Sequence, residues 1–497
     1  MALSLQPPEL LDDIASLLVR PSDLLSLALT SKTLYAIVVP QHLEFREIRC
    51  DARRSALWVA LAQHPGLARR LRSLEMYREP DLLRSNLVPR CLMSGDNDVP
   101  PVDCSLDVRS KTCSSQCTER ICAAISPMSA LMRFCFHHSN FAYLHPIETI
   151  FEAVLEHCLQ LRELEITFYD GLPTFESASR PLWNLSYLTH VSITVNRSPM
   201  IRTKQRQYLT EIMRMLSRCP DLEHLRLASE GRGPLVNLSP MLVAMSWPQL
   251  KRLVIEGDLT LNKDPAAVTF LARHTQLETL SLNEPLELPP LPHLRWLSTP
   301  EFRLRMCGLI PERFPLLEYA MMTDAYESPH REIEPVVRLL LAFPALCGAT
   351  VALGTITALR HLSQDVPHLQ RLALGCSPWN LDRARARETC LPNDECIAIL
   401  ASFPHLTHLD SSAVIGSNSD QETDAILDPF LAALAAAPQL RYVAVDMLLF
   451  DGVRPVHRWY ALERDEEGKY AGRTEVRNLD RVRFHDWEDI FRQVGIS

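Results

Sequence analysis

The chain has 497 residues, 47% apolar and 22% charged, which are the proportions of a folded chain and not of a disordered one. A net charge of −9 and a pI near 6.0, with no lysine and arginine cluster able to neutralise several phosphates together, point away from nucleic acid. No stretch approaches about 18 uncharged apolar residues, which points away from a membrane span. Glycine is scarce at 15 and proline frequent at 36, so the expectation is many short elements ended by proline, without glycine-rich phosphate loops.

The first elements are helical. After Pro7-Pro8-Glu9, the residues Leu10, Leu11, Ile14, Leu17 and Leu18 follow helical spacing until Arg20-Pro21 interrupts it. Ser22 or Asp23 can cap a second helix carrying Leu24, Leu25, Leu27, Ala28 and Leu29, and Thr30 or Ser31 a third with Leu34, Tyr35, Ile37 and Val38 before Pro40. Helices this short are marginal alone, since about 12–15 residues are needed for independent stability.

Residues 51–78 read as a linking helix and a first strand-like segment, RRLRSLEM from Arg69. Residues 79–117 are rich in Pro, Ser and Asp, lack periodicity, and read as a flexible insertion. Cys91, Cys104, Cys113, Cys117 and Cys122 fall in or beside it. They lack the paired C-x2-C spacing of a zinc site, so free thiols are expected and no metal.

From residue 118 to 456 one phrase recurs: CLQLRELEI, LSYLTHVSI, CPDLEHLRL, WPQLKRLVI, HTQLETLSL, LPHLRWLST, FPLLEYAMM, VPHLQRLAL, FPHLTHLDS and APQLRYVAV. With ALMRFCF and FPALCGATV, the leading leucines fall at 131, 161, 188, 222, 250, 277, 294, 317, 346, 369, 406 and 440. In L-x-x-L-x-L the last two leucines are two apart and share one face of a short strand. Amphipathic helical patterns ending before proline precede many copies, for example RQYLTEIMRMLSRCP, DPAAVTFLARHTQ, NDECIAILASFP and LDPFLAALAAAP. One strand and helix unit cannot bury its leucines alone, so consecutive units must stack, strands inside and helices outside. Residues 457–497 depart from the phrase and read as a cap on the open end, with aromatic strand pieces around a charged turn and a last helix in HDWEDIFRQV.

The repeats resemble the leucine-rich-repeat superfamily, in its loose helix-containing form. This implies an α/β solenoid with parallel strands on the concave face and helices on the convex face. The asparagine usual after the strand in that family is mostly missing here.

The segment PPELLDDIASLL through PSDLLSLALTSKTLYAIVVPQHLEFREI, within residues 1–50, resembles an F-box. Gln6-Pro7 stands in place of the family's leucine-proline pair, and the third helix lacks the tryptophan often found there. The resemblance implies docking of a Skp-type adaptor, and through it a cullin, by Pro7, Glu9, Leu10, Leu11, Ile14, Leu17, Leu18, Leu24, Leu25, Leu27, Leu29 and Tyr35. An F-box followed by leucine-rich repeats is a known architecture, many of whose members are fungal, and it implies the substrate-recognition subunit of an SCF ubiquitin ligase with an unknown protein substrate on the repeats. The alternative is an interaction scaffold independent of any adaptor, whose N-terminal helices only cap the array.

In each phrase, written L-x1-x2-L-x3-L, x2 and x3 should face the concave side, and arginines and aromatics there are the types that anchor partners. Arg226, Arg252, Trp296, Tyr319, Arg371 and Tyr442 are therefore the candidate partner contacts. No G-x-x-x-x-G-K-[ST], H-E-x-x-H or G-x-S-x-G occurs, so neither a catalytic residue nor a cofactor is expected. The start of the chain lacks the positive flank and apolar run of a secretion signal, and an intracellular location, cytoplasm or nucleus, is the expectation.

Overall fold

The structure is a computed structural model. It describes residues 6–18, 21–43, 45–77, 88, 111–138, 147–168, 181–196, 205–230, 236–261, 265–282, 286–299, 311–322, 337, 341–343, 345–351, 356–374, 394–416, 420–448 and 455–476. The chain is a mixed α/β protein of mostly parallel strands, divided into two compact units. The first is Met1–Val236 with Ala244–Leu250 and Glu256–Leu259; the second is Asn237–Val243, Lys251–Ile255 and Thr260–Ser497.

The first unit opens with helices α1 (Pro8–Leu17), α2 (Pro21–Ala28) and α3 (Lys32–Val38). Ser31 caps α3 as expected, its hydroxyl accepting from the Leu34 amide at 3.2 Å. Ser22 and Asp23, expected as caps, lie inside α2, whose described span opens on Pro21, a residue suited to the first turn because its missing N–H is not needed there. Ala15, Leu24, Ala28 and Val38 form a small core of their own, flanked by Leu18, Leu27, Val39 and Leu43.

Six parallel strands follow: β1 (Glu47–Asp51), β2 (Ser73–Tyr77), β3 (Arg133–His138), β4 (Glu163–Phe168), β5 (His190–Asn196) and β6 (His224–Glu230). Strand β1 corrects the expected boundary at residue 50. It lies in register with β2, Ile48 opposite Leu74 and Cys50 opposite Met76. Phe45, Ile48 and Cys50 are buried and fill the three leucine positions of the phrase with other apolar residues. A second correction concerns residues 79–117: Lys111–Ile125 is a helix, with Cys117 buried in it, so the end of the expected insertion is ordered. Cys91 and Cys104 lie outside the described residues.

In the second unit the Arg252–Ile255 part of β7 (Arg252–Gly257) pairs in parallel with β8 (Thr279–Leu282), which is followed by β9 (Trp296–Thr299), β10 (Tyr319–Met322), β11 (Gly348–Val351), β12 (Arg371–Leu374), β13 (His408–Gly416) and β14 (Tyr442–Leu448). The parallel run ends at β15 (Pro455–Arg464) and β16 (Tyr470–Glu475), which pair antiparallel. This matches the strand pieces expected after residue 457; the expected last helix and the segment 477–497 lie outside the described residues. The helices Gln205–Leu216, Pro265–Arg273 and Asp394–Ala401 stop before their phrases as expected. Asp420–Leu434 begins seven residues earlier than LDPFLAALAAAP and contains Pro429. It continues through the proline because Leu427, Phe430, Leu431 and Leu434 keep helical spacing and are all buried.

All twelve leading leucines are buried. Each buried Leu, Val or Ile contributes on the order of 1.5–3 kcal/mol, so the stacked leucines are the dominant stabilising layer. A further buried position precedes the proline of the phrase: Cys219, Trp247, Phe314, Phe343, Val366, Phe403 and Ala437 are all buried.

The missing asparagine is replaced by the backbone. Within each unit two successive amides donate to one carbonyl of the preceding turn, as Arg162 and Glu163 do to Met132 at 2.8 and 2.9 Å, and Arg295 and Trp296 to Glu278 at 2.8 and 3.0 Å. Arginines close several remaining carbonyls, among them Arg72 to Ala130 at 3.2 Å and Arg162 to Tyr187 at 3.1 Å.

Candidate functional site

The N-terminal helices divide their apolar residues between two tasks. Leu24 is buried in the small core and Leu18 and Leu27 pack against it, so these three hold the helices together, and Leu11 is fully buried; none of the four is open to a partner, a correction to the expected set. Leu10, Leu25 and Tyr35 are exposed, Leu17 and Leu29 to 79% and 73%. Ile14 is half-buried, and Pro7 and Glu9 are exposed. Leu10, Ile14 and Leu17 recur at three and four residues, so α1 turns one apolar stripe outward, as do Leu25 on α2 and Leu29 in the turn that follows it.

Polar contacts fix the helices to the start of the strand array. Asp12 accepts from Arg70 at 3.3 Å and meets His42 Nε2 at 2.7 Å, and the Arg46 guanidinium donates to the Leu18 carbonyl at 2.6 Å. Burial lowers the pKa of His42 against the opposing pull of Asp12.

The strand registers bring the expected partner contacts into rows. In the second unit Arg252, Thr279, Trp296, Tyr319, Gly348, Arg371, His408 and Tyr442 are successive Cα partners. Five of the six candidates therefore share one line. Their accessibility differs from the expectation, however: Trp296 is 8% and Tyr319 1% exposed, while Arg252, Arg371 and Tyr442 are half-buried.

The reason is stacking along the row. The Trp296 and Tyr319 rings lie 4.5 Å apart at 21°, and the Tyr319 ring extends over Gly348, where a Cβ would come within 2.2 Å of it. His408 stacks on Tyr442 at 4.8 Å and 20°. Burial, with Arg371 and Arg441 nearby, holds His408 down to about 3, so it is neutral at physiological pH.

Arg226 stands in the first unit. It is tied to Glu256 of the same unit at 2.9 Å and is half-buried, so its charge is neutralised within the protein. The open part of this unit's strand face lies at Arg133, Glu163, Glu165, His190, Ser192 and His224, all half-buried. Arg133 pairs with Glu165 at 3.2 Å, and the His190 and His224 rings are 4.0 Å apart. Farther along the strands Glu75 is buried between Arg49 at 3.3 Å and His137 at 3.7 Å. Sequence reasoning missed this buried cluster because Glu75 and His137 sit on strands whose charged residues read as solvated.

The Cys135 and Cys50 thiols are buried and pushed up by desolvation, which keeps them protonated and poor nucleophiles. Among the described residues no group of three or more His, Cys, Asp or Glu is arranged to hold a metal ion, and no helix is long and apolar enough to cross a membrane.

A scan of protein-family models finds no match, and no curated protein is similar in sequence. Among solved structures the chain is similar to the leucine-rich repeat-containing protein LegL7 from Legionella pneumophila, at 12% identity over 62% of this chain and 89% of that one, with a TM-score of 0.32. A likeness this slight carries no argument about function. The repeat scaffold rests on the phrase, its buried leucines and the parallel register.

Proposed function

We propose that this chain is the non-catalytic substrate-recognition subunit of an SCF-type ubiquitin ligase inside the cell. Helices α1 to α3 dock a Skp-type adaptor, which links the chain to a cullin, and the concave face of the repeat array binds a protein substrate. The observation that carries the reading is the outward apolar set Leu10, Leu17, Leu25, Leu29 and Tyr35, on helices whose own core is already closed by Ala15, Leu24, Ala28 and Val38. A helical cap serving only the array has no need of leucines on its solvent side, whereas a docking module lays them into a partner's groove.

The contacts from Asp12 to Arg70 and from Arg46 to Leu18 favour the second reading, an adaptor-independent scaffold with a capping segment. Co-expression with a Skp-type adaptor separates the two. The intact chain should copurify with the adaptor, and the pair of substitutions Leu10→Asp and Ile14→Asp should abolish copurification; an intact chain that does not retain the adaptor leaves the scaffold reading.

A further inference from the structure

Tyr187 is the only non-glycine among the described residues with positive φ, at 60°. In this left-handed conformation a Cβ crowds the next carbonyl, and glycine or asparagine is the usual occupant. The conformation is held from both sides: the Tyr187 amide donates to the Arg218 carbonyl at 3.1 Å, and its carbonyl accepts from Arg162 at 3.1 Å. Yet the residue is 63% exposed. Packing does not account for an exposed tyrosine in this conformation.

Its surroundings point to a ligand. Glu163 and His190 are register partners, so Tyr187 and Gln160, each three residues upstream, occupy equivalent positions in adjacent turns. Leu159, next to Gln160, is 79% exposed. Arg162 and Arg218 are exposed, and neither has a carboxylate within 4.0 Å among the described residues. Arg218 is oriented by a hydrogen bond to Asn184 Oδ1 at 3.0 Å and Arg162 by the Tyr187 carbonyl, which leaves guanidinium donors on both. Asp221 follows in the next turn and bounds the patch on that side without pairing to either arginine. In a chain of net charge −9, this is a place where two oriented, unneutralised cations flank exposed apolar groups.

We propose that this rim binds an acidic linear segment of a partner protein: an apolar side chain of the segment packs on Tyr187 and Leu159, and flanking carboxylates meet Arg162 and Arg218. The site goes beyond the adaptor reading, since it uses neither the N-terminal helices nor the strand rows.

The test is fluorescence anisotropy with the full-length chain, without adaptor, and a labelled peptide of sequence Glu-Asp-Leu-Phe-Asp-Glu. A control peptide carries Gln and Asn for the acids, and vesicles of phosphatidylcholine with phosphatidylserine test an anionic lipid surface instead. The acidic peptide should bind saturably and more weakly at high salt, with about tenfold or greater loss in Tyr187→Gly and in the pair Arg162→Gln and Arg218→Gln. Tyr187→Gly relieves the left-handed strain, so its Tm should match or exceed that of the parent, which separates lost binding from lost folding. Absence of peptide binding, equal binding of the uncharged control, binding unchanged in both variants, or capture by vesicles alone would each overturn the proposal, and none of these outcomes bears on adaptor docking.

Discussion

Replacing Gly348 by alanine tests whether the aromatic row of the second unit is built as described. Gly348 is not in a left-handed conformation, so space and not backbone freedom decides the outcome. The added Cβ would lie 2.2 Å from Tyr319 Cδ2, 2.7 Å from Cε2 and 3.3 Å from Arg371 Cβ, against an ordinary carbon separation of about 3.5–4.0 Å. The Tyr319 ring must therefore shift, yet it is buried and stacked on Trp296. Overpacking costs about 1–3 kcal/mol and loss of the stack about 0.5–1.5 kcal/mol, so Gly348→Ala should destabilise by about 2–4 kcal/mol. Tyr319→Ala alone should cost about 3–5 kcal/mol by leaving a cavity. With the ring removed the alanine methyl has room, so the double variant should cost little more than Tyr319→Ala, a coupling of about 2–3 kcal/mol. Urea denaturation followed by circular dichroism and tryptophan fluorescence measures all four corners. Additivity within about 0.5 kcal/mol would refute the claim that Tyr319 lies over Gly348.

His408 should make the fold acid-labile. An unfolded histidine takes a proton below its ordinary 6.5 while the folded one stays neutral down to about 3, so its contribution is complete above 6.5 and is lost as pH falls. At about 1.4 kcal/mol per pH unit, roughly 2 kcal/mol disappears by pH 5; denaturation midpoints should fall less steeply over this range in His408→Gln than in the parent. The Arg464 guanidinium donates to the carbonyls of Ala435 and Gly468 at 2.8 Å and of Ala437 at 2.6 Å, clamping the end of the last long helix. Arg464→Met should cost roughly 1–2 kcal/mol, since hydrogen bonds to charged groups are worth about 1.5–3 kcal/mol and this one is partly solvated; an unchanged Tm would argue against the clamp. Leu225→Ala, in the buried layer of β6, should cost about 2–5 kcal/mol by thermal melt.

The array was legible because a period-2 pair of leucines after a helical stop specifies which face of a strand is buried, and every leading leucine of the phrase is buried in the structure. The strand Glu47–Asp51 was hidden because Phe45, Ile48 and Cys50 carry the pattern without a leucine; the face requires apolar groups, not one residue type. The helix Lys111–Ile125 was hidden by its polar first half, KTCSSQCTER, whose helical state is decided by packing of Cys117, Ile121, Ala124 and Ile125. Row membership of Arg252, Trp296, Tyr319, Arg371 and Tyr442 could be read from spacing, but exposure could not. Whether a side chain is open depends on its lateral neighbour, here the glycine at 348 that lets Tyr319 lie down. The division of the N-terminal leucines between core and surface was likewise illegible, because helical spacing alone does not say which stripe meets the other two helices.

Titration of the intact chain with a purified Skp-type adaptor tests the central claim most directly. Leu17 and Leu29 are the most exposed leucines of the N-terminal helices, so Leu17→Asp with Leu29→Asp removes a docking surface without opening the core. Calorimetry should give a one-to-one complex of about micromolar affinity or tighter, lost in the double variant at unchanged Tm; an intact, folded chain that shows no binding would contradict the account.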